Sequence, residues 1–262
     1  VARPANTRRI LAFACCAIVM TSSTTGARAD PDLAHRPIPG GAHRDRFGCE
    51  VPNVAAPSFT AAPVREQHDL RKAIAEYRAA AALPRPEGSQ PSYHDLVTRL
   101  PLSVALYRAH RIAEARAQWR TMLADRIADA KRYQMQLPPQ PPAADLLAQR
   151  RLDLLAERAE PDWWPGFFDT GAGQHMVRGS DAAQRGRVAA AAFEWRCAVR
   201  ASPEFQPAHL MLGYVAALRG DTAAAKNEWI AALEGVQYGP GDMFAITKWQ
   251  YDAMAALLRY TG

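Results

Sequence analysis

Apolar residues recur every three or four positions through most of the chain, the spacing that keeps them on one face of an α-helix. Leu70, Ile74, Tyr77 and Ala81 predict a helix over Val64–Leu83, broken by the turn-forming stretch Pro84–Pro91. Ser92 is a candidate N-cap for a helix through Leu100, which Pro101 then kinks or restarts. The longest pattern covers Arg111–Gln136, where Ile112, Ala115, Trp119, Met122, Leu123, Ile127, Ala130 and Tyr133 form one stripe. Prolines 138, 139, 141 and 142 end it. Ala143–Glu160, with Leu147, Leu154 and Leu155, is expected to fold back as the second arm of a helical hairpin. Trp163, Trp164, Phe167 and Phe168 then crowd one short connection, expected to plug the front helices against the C-terminal part of the chain, with an exposed partner hot spot as the alternative. Asp30–Pro63 keeps no period and is rich in Pro, Gly and short polar residues, which predicts an extended arm.

A second regularity lies at longer range. Residues 172–205 laid over residues 206–239 match without a gap: His175 on His209, Gly179 on Gly213, Arg185 on Arg219, Gly186 on Gly220, Glu194 on Glu228 and Trp195 on Trp229, with six alanine pairs besides. Such a period predicts two copies of one helix-turn-helix unit. Gly186 and Gly220 fall where the first helix of each unit must close, a position suited to glycine's left-handed backbone. Ala191, Ala198, Ala225 and Ala232 share a face of the second helix and allow close approach. Trp195 and Trp229 are expected to fill the gap to the next hairpin. One hairpin cannot bury both its faces, so the units are expected to stack.

These residues resemble the tetratricopeptide repeat (TPR) family. The second unit carries Leu212-Gly213, Ala225, Trp229 and Ala232. The first carries Gly179, Ala191, Trp195, Ala198 and Pro203. The chain departs from the pattern where His175 and His209 replace the opening tryptophan, Ala182 and Ala216 the tyrosine, Arg178 the leucine and Gln237 the second proline. Arg111–Leu123 is a candidate diverged copy, because Ala115 and Trp119 keep the spacing while His110 stands in the glycine position. The resemblance implies an all-α fold of stacked antiparallel hairpins, a TPR-like α-solenoid, closed by a capping helix within residues 240–262 (Phe244, Trp249, Ala253, Leu257). It also implies a groove lined by Met176, Ser180, Gln184, Leu210, Tyr214 and Leu218. The expected layout is residues 1–29 as signal peptide, 30–63 as irregular arm, 64–160 as helical region, 161–171 as aromatic linker, 172–239 as two repeats and 240–262 as cap.

The signal-peptide expectation rests on Arg3, Arg8 and Arg9 before the apolar run Ile10–Met20, and on Ala27-Arg28-Ala29 as a cleavage site before Asp30. An uncleaved anchor and lipidation at Cys15 are the alternatives. Cleavage would place the mature chain in the periplasm or outside the cell. It would also remove four of the 32 basic residues and none of the 26 acidic ones, so the formal charge of +6 falls to +2. That leaves no basic footprint for nucleic acid. No later stretch is apolar enough for a membrane span. Cys49 and Cys197 would remain, and an oxidising compartment favours their pairing over two separate buried thiols.

Candidate chemistry is sparse. Asp169-Thr170-Gly171 resembles the active-site signature of retroviral-type aspartic proteases, but the helical pattern after it opposes the β-structure such a site needs, and a helix cap is the plainer reading. His35, His43 and Cys49 match no zinc spacing. Phosphate-loop, dinucleotide, nucleophile-elbow and H-E-x-x-H patterns do not occur. The expectation is an adaptor that binds a protein or peptide without cofactor or metal. A hydrolase using Asp169 and a structural envelope component are the competing readings.

Overall fold

The structure, a computed structural model, describes residues 41–52, 69–84, 91–132, 171–234 and 248–262. The signal segment, the proline run at 138–142, the helix expected over Ala143–Glu160, the aromatic connection, Asp169, Thr170, Tyr133 and Phe244 lie outside the described residues. The described elements are two short strands, β1 (Ala42–Arg44) and β2 (Glu50–Pro52), and then helices. These are α1 (Leu70–Ala82), α2 (Pro91–Val97), α3 (Arg99–Arg108), α4 (Ile112–Arg132), α5 (Gly171–Gln184), α6 (Val188–Ala201), α7 (Gln206–Leu218), α8 (Thr222–Glu234) and α9 (Lys248–Tyr260). The fold is mostly α-helical.

Local chemistry sets the helix ends. Asp69 caps α1 by accepting the backbone N–H groups of Arg71 and Lys72 at 3.0 and 3.1 Å. Leu83, before Pro84, turns extended and stops it. The break expected at Pro101 falls earlier, at Thr98 (φ −123°, ψ −68°). Pro101 itself sits in the first turn of α3, where its missing N–H would have had no intrahelical partner. Ser92 lies inside α2 rather than at its cap. α3 buries Leu100, Leu102, Val104, Ala105 and Leu106, so it is apolar around most of its circumference and runs through the core. In α4 the buried side is Ala115, Trp119, Met122 and Ala130, whereas Ile127 is half exposed and lies off the stripe expected to contain it.

Three hairpins close identically. In α5–α6, Gly186 has φ +71°, its N–H reaches the Ala183 carbonyl at 2.9 Å, and the Arg187 N–H reaches Ala182 at 2.8 Å. In α7–α8, Gly220 has φ +82°, with Gly220 bonded to Ala217 at 2.9 Å and Asp221 to Ala216 at 3.0 Å. In α3–α4 the residue in that place is His110, at φ +58°, with His110 bonded to Tyr107 at 2.9 Å and Arg111 to Leu106 at 2.8 Å. Both bonds of the αL helix stop are thus present three times. Histidine is strained in the left-handed region. Replacing His110→Gly is therefore expected to raise unfolding free energy by about 0.5–1 kcal/mol, and Gly220→Ala to lower it by about 1 kcal/mol, in urea denaturation.

The order of the hairpins in space departs from their order in sequence. α6 packs on α7, and α8 on α9, so the second hairpin and α9 continue the stack begun by the first. α9, expected to close the array, also receives the front helices. Its other side meets α4, while α3 packs on α8 and α1 on α3. Ala253, Met254, Ala256 and Leu257 are accordingly fully buried, while Asp252 is half-buried and Arg259 exposed on the opposite side of the helix. Arg108 of α3 pairs with the buried Glu234 of α8 at 2.5 Å. Arg116 of α4 donates to the Leu258 carbonyl at 2.9 Å and to Thr261 at 3.0 Å, which satisfies the C-terminal end of α9.

The N-terminal arm is not wholly irregular. β1 and β2 pair antiparallel, Ala42 opposite Pro52 and Arg44 opposite Glu50. The Asp45 carboxylate accepts the N–H groups of Phe47 and Cys49, and Gly48 supplies φ +83°. Strands of three residues are too short to write a period into the sequence.

Candidate functional site

Each hairpin is organised around a tryptophan. Trp195 and Trp229 are fully buried, and each indole lies on the glycine sixteen residues earlier. A Cβ on Gly179 would stand 2.3 Å from Trp195 Nε1, and one on Gly213 would stand 2.3 Å from Trp229 Nε1. Glycine is required by this contact, since both positions are helical and need no unusual backbone. Each indole thus wedges on a glycine of its own hairpin, and Trp229 in addition meets Tyr214 (5.8 Å between centroids) and, beyond its hairpin, Tyr260 of α9 (5.1 Å). Trp119 occupies the same place in α3–α4. Its sixteen-residue partner is Ser103, whose hydroxyl accepts the indole N–H at 2.9 Å. Ala191, Ala198, Ala225 and Ala232 are completely buried on the facing side of the second helices.

A second constellation also repeats. His175 Nδ1 lies 2.7 Å from Glu194 Oε2, and His209 Nδ1 lies 2.7 Å from Glu228 Oε2. On the other side of the ring, His209 Nε2 donates to the Pro203 carbonyl at 2.8 Å, and His175 Nε2 to the Glu50 carbonyl at 2.5 Å. Each ring is thus held between a carboxylate on one side and a main-chain carbonyl on the other. Pro203 belongs to the turn that ends the first hairpin. Glu50 belongs to β2. The strand therefore holds, against the first hairpin, the position that the first hairpin's own closing turn holds against the second.

β2 is fixed there by several ties. Glu50 pairs with Arg178 at 2.9 Å, and the hydrogen bond from that guanidinium is the main reason its carboxyl is held below the usual range. Asp45 is partly desolvated, yet its contact with Arg200 at 2.5 Å and its two backbone donors hold its pKa low. The Arg200 guanidinium also covers the Phe47 ring at 3.7 Å from its centroid. Cys49 and Cys197 form a disulfide with Cα atoms 5.2 Å apart, and both are buried. Beside β2 opens a cleft of about 350 Å³, lined by Glu50, Arg178, Asp181, Ala182, Arg187, Ala190 and Glu194.

The residues expected to line a groove are distributed differently. Met176, Ser180, Leu210 and Tyr214 are buried, Leu218 is half-buried and Gln184 is exposed. Ser180 turns its hydroxyl back to the Met176 carbonyl at 3.0 Å, and Tyr214 packs on Trp229, which explains why neither faces solvent. Of the six, Gln184 and Leu218 are the accessible positions. In the sequence His175, His209, Glu194 and Glu228 stand out only as identities. Their shared nineteen-residue spacing is the available signal that each histidine has its own carboxylate. Nothing in the sequence points to Glu50 and Arg178.

Elsewhere, Tyr251 is buried below the Arg126 guanidinium (4.3 Å), and burial pushes its hydroxyl up to about 12. Among the described residues no group of three or more His, Cys, Asp or Glu side chains is placed to hold a metal ion, and no helix is long and apolar enough to cross a membrane. Gly171, the last residue of the protease-like triplet, opens helix α5. No family model, curated protein or solved structure matches this chain.

Proposed function

We propose that this chain is an exported adaptor or scaffold of the tetratricopeptide-repeat type, which binds a protein or peptide partner in the periplasm or outside the cell. The observation that carries this reading is the wedge repeated at Trp119, Trp195 and Trp229, each on a small residue sixteen positions earlier in a hairpin closed by a left-handed turn. Stacked hairpins of one geometry build a continuous surface larger than any one hairpin can offer. The inner helices α5 and α7 would supply the partner surface, with Gln184 and Leu218 at its accessible margin.

A photo-reactive amino acid placed at Gln184 or at Leu218, in the full chain expressed in a bacterial envelope, is expected to trap one discrete partner. The same group at the exposed Ala189 of α6 is expected to trap none. Equal labelling from all three positions, or none from the first two, would overturn the reading. The competing hydrolase rests on the Asp169-Thr170-Gly171 triplet alone, and Asp169 lies outside the described residues.

A further inference from the structure

The contact between β2 and the first hairpin has features of a bound ligand. His175 receives the Glu50 main-chain carbonyl just as His209 receives the Pro203 carbonyl, so the seat is one that the fold uses for packing one unit on the next. The occupant that fills it is small: two strands of three residues, a hairpin too short to be stable alone. Its non-covalent ties include two ion pairs at partly exposed side chains, Glu50–Arg178 and Asp45–Arg200, the aromatic contact of Phe47, and one carbonyl. Partly exposed ion pairs contribute little by themselves. The covalent bond from Cys49 to Cys197 adds a tie of a different order. The hairpin also leaves the seat part-filled, because the cleft of about 350 Å³ runs on beside Glu50 between Arg187, Asp181 and Glu194.

We propose that this seat is a binding site for an extended peptide segment with an acidic side chain at the position of Glu50, that β2 is its built-in occupant, and that the Cys49–Cys197 disulfide latches the occupant in place. A segment suited to the seat presents a small residue where Cys49 is buried, then an acid whose main-chain carbonyl accepts from His175 and whose carboxylate meets Arg178. Opening requires a dithiol reductant. The S–S bond between Cys49 and Cys197 breaks and takes up two electrons and two protons, giving two thiols, while the reductant's two thiols become its own disulfide. The inference uses only the contacts of β2 and does not depend on the groove on α5 and α7. Its failure would leave the cross-linking result at Gln184 and Leu218 unaffected.

Two measurements on the full chain test it. The first is amide exchange before and after treatment with dithiothreitol. Residues 42–52 are expected to exchange at least tenfold faster once reduced, while Ala191–Ala198 and Ala225–Ala232 keep their protection. The second uses a fluorescent peptide covering Gly41–Pro52 with its cysteine replaced by serine. It is expected to bind the Cys49→Ser chain and reduced wild type, and not the oxidised wild type. Adding Arg178→Glu to Cys49→Ser is expected to weaken binding at least tenfold, with helical content unchanged by circular dichroism. The proposal is overturned if the hairpin amides stay equally protected after reduction. It is overturned equally if the peptide binds no better than a scrambled one, or binds oxidised and reduced protein alike. Should Cys49→Ser lose its helical content, the dithiothreitol-treated wild type supplies both readouts.

Discussion

Replacing Trp229→Ala is expected to lower the unfolding free energy by about 3–5 kcal/mol, the range for removing a large aromatic from a packed core. Trp229 is completely buried, rests on Gly213, and is shared by Tyr214 of its own hairpin and Tyr260 of α9. Its loss would open a cavity at the joint of three helices that cannot close without moving α9. The reciprocal change reads the same contact from the other side. Gly213→Ala puts a methyl group 2.3 Å from Nε1 and 2.4 Å from Cδ1, closer than non-bonded atoms approach, so the ring or the helix must shift. Alone it is expected to cost about 1–3 kcal/mol by overpacking. In the Trp229→Ala background the methyl group enters the vacated space, and the penalty should fall towards zero or reverse. Such coupling is the signature of direct contact. Denaturant titration of the four proteins measures it, and strictly additive losses would rule out the wedge.

The wedge is only half legible in the sequence. The 34-residue period marks Trp195, Trp229, Gly179 and Gly213 as equivalent pairs, because identical packing problems select identical side chains. It does not say which helix the indole leans on, since sequence spacing fixes a face but not the neighbour across it. The same limit leaves the third hairpin only a candidate, marked by Ala115 and Trp119. Trp119 lies 76 residues before Trp195, off the repeat period, and its partners differ: Ser103 for glycine, His110 for the turn glycine. Both substitutions keep the function of the position. Ser103 turns a close approach into a hydrogen bond, and His110 adopts the left-handed backbone at some strain. Identity matching counts His110 as a mismatch and does not see Ser103. A reading by backbone role would search for a residue able to take positive φ nine positions before each tryptophan.

Placement of the ends is beyond the sequence for another reason. Composition describes residues 30–63 well enough as polar and irregular, yet a hairpin of three-residue strands carries its information in partners far away. Glu50 acquires meaning from Arg178 and His175, and Asp45 from Arg200, at separations of 125 to 155 residues. α9 likewise looks terminal because it is last in the chain. The front helices return to cover it, and no local pattern records that return. The breadth of the buried face of α9, which takes in Tyr251, Ala253, Met254, Ala256 and Leu257, is the trace of a second neighbour.

Reduction of Cys49–Cys197 is expected to produce the second large effect on stability. The bond joins residues 148 apart, and in the chain-entropy model closing so long a loop destabilises the unfolded chain by about 5 kcal/mol. If the reduced hairpin kept its seat, breaking the bond would remove that whole amount from the unfolding free energy. A native state that releases its hairpin recovers part of the loss, because the freed segment regains conformational freedom without dismantling the helices. The shortfall below about 5 kcal/mol therefore measures how far the latch model holds. Urea titrations of oxidised protein, reduced protein and Cys49→Ser would supply it. A smaller dependence of free energy on urea in the reduced form is expected as well, since a native state with the hairpin already free has less surface left to expose. A full loss with an unchanged slope would mean the hairpin stays docked without its disulfide. Stability and amide exchange would then agree that the bond is a brace and that the seat under β2 does not open.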